Sequence, residues 1–313
     1  MESLPSFIYY IYVIPFFIYQ VGSLFTGLVI SIYLIIKSPF SLVSFIIKKF
    51  KSKKQIVKYD ESRKNFIAGV GFFIAGYAFI GSGVGILRKD NFEISYQDIF
   101  IANLPSELNG FSITLISDIH CGPYMQEDML LEYVSAINAV GSDIILIPGD
   151  ITNTKENEVY PFVKTFSKLK AKYGVYATLG NHDYFSKPDI IANAISTDTD
   201  IKMLRNDSKI IYVNNTPLII SGTEDTRSSG ASVNNAVYKY LSDTFKGAEN
   251  LAMSKGIDYQ NTKKILLYHK PYIFEELSDK GYDLMLSGHT HGGQVVFAKI
   301  NDSSFSFASI ASK

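Results

Sequence analysis

The sequence has one cysteine, no run of like charge in its second half, no internal repeat and no net charge. Cys121 stands alone, so an intrachain disulfide framework is excluded. Thirty basic and thirty acidic residues cancel, and no alternation of aromatic and basic residues occurs. A polyanion-binding or nucleic-acid-binding chain is therefore not expected. Charge is wholly missing from residues 7–36, thirty consecutive positions rich in Ile, Phe, Tyr and Val. A bilayer needs roughly 20 apolar residues, so this stretch predicts one long tilted helix, or two short passes broken near Pro15 or Gln20–Gly22. Residues 66–87 form a second candidate span whose glycines and alanines suit close helix contact in lipid. The division expected is a membrane region over 1–90, with two or three transmembrane helices, and a second domain over 91–313.

Between the spans the charge reappears with one sign. Lys37, Lys48, Lys49, Lys51, Lys53, Lys54, Lys58, Arg63 and Lys64 face only Asp60 and Glu61. The positive-inside bias places the 37–64 loop in the cytoplasm and everything after residue 88 on the outer side; Arg88 and Lys89 weaken that bias without reversing it. Ser62-Arg63-Lys64-Asn65-Phe66-Ile67 resembles a degenerate twin-arginine export signal, and reads equally as the basic flank of a span. With no charge inside the spans and most of the chain beyond them, a transporter is not expected.

Past residue 91 the pattern changes. Phe92–Ala102 reads as strand-like. Short apolar runs then alternate with helical periodicity: 112–116, 144–147, 175–179, 218–220, 265–268 and 284–286. This is the rhythm of a sheet covered by helices, an α/β fold. Five of the six runs stop at residue types that ligate metals. The stops are Asp118-Ile119-His120, Gly149-Asp150, Gly180-Asn181-His182-Asp183, His269, and Gly288-His289-Thr290-His291. All five histidines of the chain lie in these stops. In α/β sheets ligands bind beyond the carboxyl ends of strands, so residues far apart in sequence converge at one rim.

Two histidines two apart in an extended segment point to one side, ~7 Å apart, and two metal ions bridged by an oxygen sit ~3.5–4 Å apart. Each imidazole of His289 and His291 can thus serve one ion, and Asp118 with His120 repeats that spacing. The flanking glycines let backbone crowd close. One Asp150 carboxylate can bridge two cations, and Asn181 offers a neutral oxygen. Nitrogen and oxygen ligands without thiolate suit Mn, Fe, Zn or Co. Cys121 reads as a small packing residue, with a metal or redox role as the weaker alternative.

The series D-x-H, G-D, G-N-H-D, H and G-H-x-H resembles the calcineurin-like metallophosphoesterase superfamily, in its bacterial membrane-associated branch, over roughly residues 95–300. The resemblance implies a four-layer β-sandwich flanked by helices. It implies one ion held by Asp118, His120 and His291, a second held by Asn181, His269 and His289, and Asp150 bridging. His182 then corresponds to the outer histidine that binds the phosphate and protonates the leaving oxygen, a task suited to imidazole. Asp183 is expected to orient His182 or to cap the following turn, and Asn153 to act at one remove from the ions. Ser221–Gly230 resembles a family loop, either a lid with Arg227 on phosphate or a solvated loop. The implied activity is attack of a metal-bound hydroxide on a phosphate mono- or diester, or a pyrophosphate, with a lipid-linked substrate suggested by the spans. The alternative from another class is a catalytically silent metal-binding membrane scaffold. Val295–Ala298 and Ser304–Ala308 look like the first of several further strands, so the second sheet is expected to lack its C-terminal part, either because this is a fragment or because one edge stands open.

Overall fold

The computed structural model describes residues 9–50, 61–87, 91–227, 235–273, 277, 280–291, 296–300 and 303–306. The chain forms two compact units, Met1–Gln97 and Asp98–Lys313.

In the first unit a π-helical turn, Tyr9–Val13, runs into helix α1, Ile14–Phe50, and helix α2 spans Glu61–Leu87. Helix α1 is continuous through Pro15, Gln20 and Gly22, with no break at either place; residues 7 and 8 lie outside the described residues. The helix also runs on past Lys37 and Pro39, so part of the basic 37–64 segment is helical; residues 51–60, Arg88 and Lys89 lie outside the described residues. The two helices pack antiparallel, with Ile18 against Gly83 and the Phe79 ring over Gly22. A Cβ at Gly22 would run into that ring. The other glycines of α2 meet nothing within 4 Å, so the close contact is confined to one crossing.

Phe92–Ala102 forms no strand. Phe92, Ile94, Tyr96, Ile99 and Phe100 are exposed, Phe100 at 95%. The alternation is present, but no described strand lies alongside to pair its backbone, and an unpaired strand is not stable in water.

The second unit is a sandwich of two sheets. Strands β1 (Ile113–Leu115), β2 (Ile144–Ile147), β3 (Val175–Ala177) and β4 (Lys202–Met203) form a parallel sheet in that order. Strands β5 (Asp207–Val213), β6 (Thr216–Thr223), β7 (Lys263–Tyr268) and β8 (Leu284–Leu286) form the second, parallel from β6 onward. The antiparallel edge strand β5 is joined to β6 by Asn214-Asn215, both at positive φ (48° and 69°), the two-residue hairpin loop that asparagine tolerates. A separate antiparallel pair, β9 (Val296–Ile300) and β10 (Ser303–Ser306), follows; Val295 and residues 307–308 lie outside the described residues.

Period-two alternation assigns each strand residue to a layer. Ile144, Leu146 and Tyr176 face Leu218, Ile220, Ile265 and Leu267 between the sheets. Ile145, Ile147, Val175 and Ala177 point outward onto helices α3 (Glu127–Val140), α4 (Val159–Phe166) and α5 (Pro188–Asp198), through Leu130, Phe162, Phe166, Ile191 and Ile195. On the far side Leu266 and Tyr268 meet Val237 and Leu241 of helix α6 (Asn235–Ser254), and Ile219 meets Ala248 and Ala252 of the same helix. Helix, sheet, sheet and helix make the four layers. Strands buried on both faces read as unbroken apolar runs, as β2 does.

Candidate metal centre

Three strands of the first sheet and two of the second end at one rim. The segment after β1 carries Asp118 and His120; that after β2, Asp150; that after β3, Asn181 and His182; those after β7 and β8, His269, His289 and His291. Main-chain bonds prolong the sheet register to these residues: Asp118 N–H to Gly149 O (3.2 Å), His120 N–H to Asp150 O (3.0 Å) and Gly288 N–H to His269 O (2.9 Å).

The backbone at the rim is not extended. Asp118, His120, Asp150, His289 and His291 all have positive φ, between 46° and 73°. The 118–120 and 289–291 pairs therefore reach the centre by left-handed turns rather than by the alternation of a strand, as their spacing had suggested. The strands end too early to aim alternate side chains at the gap between the sheets. The glycines serve that same crowding: a Cβ at Gly288 would strike Ser117 and Asp118, and one at Gly180 would strike Asp150 and the His269 ring. They admit neighbouring protein, not only a ligand. Gly292, Gly293 and Gln294 lie outside the described residues.

The side chains form three overlapping groups, each with its candidate ligand atoms within 4.8 Å of one another: Asp118, His120 and His291; Asp150, His269 and His289; and His120, Asp150 and His182. His120 Nε2 lies 3.2 Å from His291 Nε2, which is 3.3 Å from Asp118 Oδ1. His269 Nε2 lies 3.0 Å from Asp150 Oδ2, and His120 Nε2 lies 3.7 Å from that oxygen. Asp150 thus touches both sets. The buried Asn181 Oδ1, His269 Nδ1 and His120 Nδ1 make no hydrogen bond. Unpartnered buried polar atoms are costly and rare, and here they sit among carboxylates and imidazoles of mixed nitrogen and oxygen type. This donor set fits divalent cations.

Electrostatics agree. Burial pushes the imidazoles of His120 and His289 down to about 4, with neighbouring histidines adding to the shift. Both are neutral, with a lone pair to give. For His269 burial also works downward, but the Asp150 carboxylate outweighs it and the net shift is upward. Burial pushes the Asp150 carboxyl up; His269, the His182 amide and His120 together hold it below the usual carboxylate range.

His182 stands beside these groups, its ring 4.4 Å from that of His120 and 4.5 Å from Phe185. Its amide donates to Asp150 Oδ1 (2.8 Å) and its Nδ1 faces the Asn153 carbonyl oxygen at 2.8 Å. A carbonyl only accepts, so Nδ1 carries the proton and Nε2 is the free nitrogen. The contact from Asn153 is thus its main chain, not its amide. Asp183 neither orients the His182 ring nor caps the turn after it. Fully buried, its carboxylate accepts from Ile151 N–H (3.3 Å), Thr152 N–H (2.8 Å), Thr152 Oγ1 (2.9 Å) and Gly180 N–H (2.9 Å). It ties the loop after β2 to the loop after β3.

Ser221–Asp225 is buried, not a solvated loop. Ser221–Thr223 ends β6, Glu224 pairs with Arg205, and Asp225 pairs with Lys270 at 3.0 Å, both buried. Arg227 is exposed, and residues 228–230 lie outside the described residues. The Asp225–Lys270 pair, next in sequence to His269, was not singled out from sequence; the lysine directly after a strand-end histidine was the available signal. Cys121 is buried and its backbone bridges to Thr152.

The family model for calcineurin-like phosphoesterases matches residues 111–293, the span that contains every one of these side chains. The chain belongs to that family. An uncharacterized metallophosphoesterase of Campylobacter jejuni is 29% identical over 206 residues, covering 65% of this chain and 49% of that protein. One from Helicobacter pylori is 29% identical over 279 residues, covering 83% of this chain and 68% of that protein. A zebrafish protein named as a transmembrane protein with a metallophosphoesterase domain is 27% identical over 205 residues, covering 63% and 44%. The chain thus spans about half the length of the first and third. Metallophosphoesterase domains hydrolyse phosphoric esters with divalent metals, and the donor set described above suits that chemistry.

Proposed function

We propose that the protein is a membrane-anchored, metal-dependent phosphoesterase acting on a phosphate mono- or diester, a lipid-linked ester or pyrophosphate being the favoured class. The observation that carries the catalytic part is the convergence of Asp118, His120, Asp150, His182, His269, His289 and His291 at one rim, with the neighbouring Asn181 Oδ1 buried and without a hydrogen bond. Asp118, His120 and His291 would hold one divalent ion, Asn181, His269 and His289 the other, and Asp150 both. When bound, such a pair supplies Lewis acidity and lowers the pKa of water at the phosphorus. His182, its Nδ1–H held by the Asn153 carbonyl, would present Nε2 and, when protonated there as well, give that proton to the departing oxygen. The identity of the metal among Mn, Fe, Zn and Co rests with direct analysis.

The anchoring part is supported by two helices long and apolar enough to cross a membrane, within Ile11–Ile47 and Lys64–Gly85, and by the zebrafish relative's name. Helix α1, at 37 residues, is about 55 Å long against a hydrocarbon core of ~30 Å, so it outruns the bilayer. Lysines between the spans favour a cytoplasmic connection and a catalytic domain on the outer face of the cytoplasmic membrane. We propose the boundary between anchor and catalytic domain near residue 90.

The deciding experiment is hydrolysis of p-nitrophenyl phosphate and bis(p-nitrophenyl) phosphate by the detergent-purified protein with added Mn, beside His289→Ala and His182→Ala. The reading expects activity in the wild type, loss in both variants, and metal retained in His182→Ala. A folded protein that binds no metal overturns it. A topology reporter fused after residue 313 tests the orientation.

A further inference from the structure

Glu158 lies outside every ligand motif, yet its carboxylate organises the loop on which His182 depends. Its Oε2 accepts three consecutive backbone N–H groups: Asn153 (3.0 Å), Thr154 (2.7 Å) and Lys155 (2.9 Å). Three amides converging on one oxygen define an anion-binding loop, satisfied here from within the chain. Asn153 is the residue whose carbonyl oxygen takes the Nδ1 proton of His182. The loop is fixed at its start as well, because Asn153 N–H also reaches Cys121 O (3.1 Å) and Cys121 N–H reaches Ile151 O (2.8 Å). Gly122 fits closely: a Cβ there would stand 3.3 Å from both Glu158 Oε1 and Asn153 Cβ, so a larger residue would have to shift one of them by a few tenths of an ångström.

We infer that Glu158 is a positioning residue for His182: by holding residues 153–155 it aims the Asn153 carbonyl, which sets the tautomer and the ring angle of the histidine. The inference rests on the reading of His182 as the proton donor. Beside the His120 ring at 4.4 Å, the ring has two supports, the Asn153 carbonyl at Nδ1 and the tilted Phe185 ring at 4.5 Å and 48°. Only the carbonyl distinguishes the two nitrogens. As donor the imidazolium carries a proton on each nitrogen; the carbonyl keeps the one on Nδ1, so the Nε2 proton is the one that passes to the departing oxygen and the ring is left as the Nδ1–H tautomer, whereas without the carbonyl the ring can present either nitrogen. The two supports have separable consequences, since losing Phe185 loosens the ring and losing Glu158 unsets the tautomer.

The test compares Glu158→Ala and Glu158→Gln in the full chain, in detergent and loaded with Mn or, for spectroscopy, with Zn. Gln keeps an acceptor oxygen and Ala keeps none. With histidines labelled by 15N, Glu158→Ala should lose the Nδ1–H tautomer signature of His182 while Glu158→Gln retains it. An aryl phosphate has a good leaving group and an alkyl phosphate a poor one, so loss of the positioned acid falls on the alkyl ester. Glu158→Ala should lower alkyl-ester hydrolysis roughly tenfold or more with p-nitrophenyl phosphate much less affected, at unchanged metal content, and Glu158→Gln should restore it. An equal fall for both esters with the His182 signature unchanged would show Glu158 to be a general structural support and overturn the inference. Should Glu158→Ala not fold, Glu158→Asp, which withdraws the oxygens by one methylene, takes its place with the same criteria. A wild-type rate in His182→Ala would strike at the proton-donor reading instead, and the tautomer signal would still decide whether Glu158 sets the ring.

Discussion

The backbone N–H of His289 donates to both carboxylate oxygens of Asp118, at 2.9 and 3.0 Å, across 171 residues of sequence. The first strand of one sheet is thereby joined to the last strand of the other at the rim where ligands gather. Asp118 is a candidate ligand and also the rivet between the sheets.

Asp118→Ala should therefore show two effects. Thermal unfolding of the metal-free variant should report a loss of about 1.5–3 kcal/mol, the usual range for hydrogen bonds to a charged group. Metal analysis should report a weakened site at His120 and His291. A metal-free variant as stable as the wild type would refute the rivet.

The pH dependence of metal loading follows from three histidines with two directions of shift. His269 has a raised pKa in the metal-free fold, so its proton stabilises that fold below the ordinary imidazole value of about 6.5. This contribution is lost as pH rises through the raised value. A metal at His269 must displace that proton, and loading near neutral pH should release protons, measurable by calorimetry in buffers of different ionisation enthalpy. His120 and His289, pushed down to about 4, run the other way: the unfolded chain takes up protons at them first, so stability falls as pH drops from about 6.5 towards 4. His269→Ala should abolish most of the proton release, whereas His289→Ala should leave it.

Burial pushes the Cys121 thiol far up, with Asp183 and Glu158 adding to the shift. A thiolate is the reactive form, so the folded protein should not react with an aromatic disulfide reagent at pH 8, and should react fully in denaturant. Rapid labelling of the native protein would bring back the redox role that the His120-Cys121 sequence raised.

Asp183→Asn keeps the shape of the side chain and exchanges an acceptor oxygen for a donor. Four donors converge on the wild-type carboxylate, so at least one backbone N–H is left facing an NH2 group. The expected cost is about 1–3 kcal/mol, read as a lower unfolding midpoint with the metal content reduced. Asp183→Ala should cost more, because all four donors lose their partner. An unchanged midpoint in both would show that the two loops are held together by other means.

The layers of this fold were legible because strands buried on both faces read as apolar runs, and because each of five runs stops at a coordinating residue type. The site was legible for the same reason, residue by residue. What escaped the sequence is what depends on partners. Phe92–Ala102 has the alternation of a strand but pairs with no strand among the described residues. Strand β5 alternates only weakly, and its surest sign was the Asn214-Asn215 loop. The left-handed turns at His289 and His291 cannot be read from a spacing of two, which a strand shares. Glu158 and Asp183 act on main-chain N–H groups, and such contacts leave no motif.

Five of the seven candidate ligands sit where L-residues are seldom found, and this limits which amino acids the centre can use. Among non-glycine residues, Asp, Asn and His are the ones that tolerate the left-handed region best. These are also the side chains that offer short-reach oxygen and nitrogen donors. Backbone and coordination therefore draw on one small alphabet. Replacing His291 by Asn or Gln, or Asp118 by Glu, tests this: Gln and Glu keep a coordinating side chain but tolerate the left-handed region less well than Asn and Asp do, and the five candidate ligand positions should prove harder to exchange than coordination chemistry alone implies. Transplanting Gly288–His291 as a linear peptide would for the same reason yield little affinity, since in isolation the segment has no sandwich to hold it in this conformation.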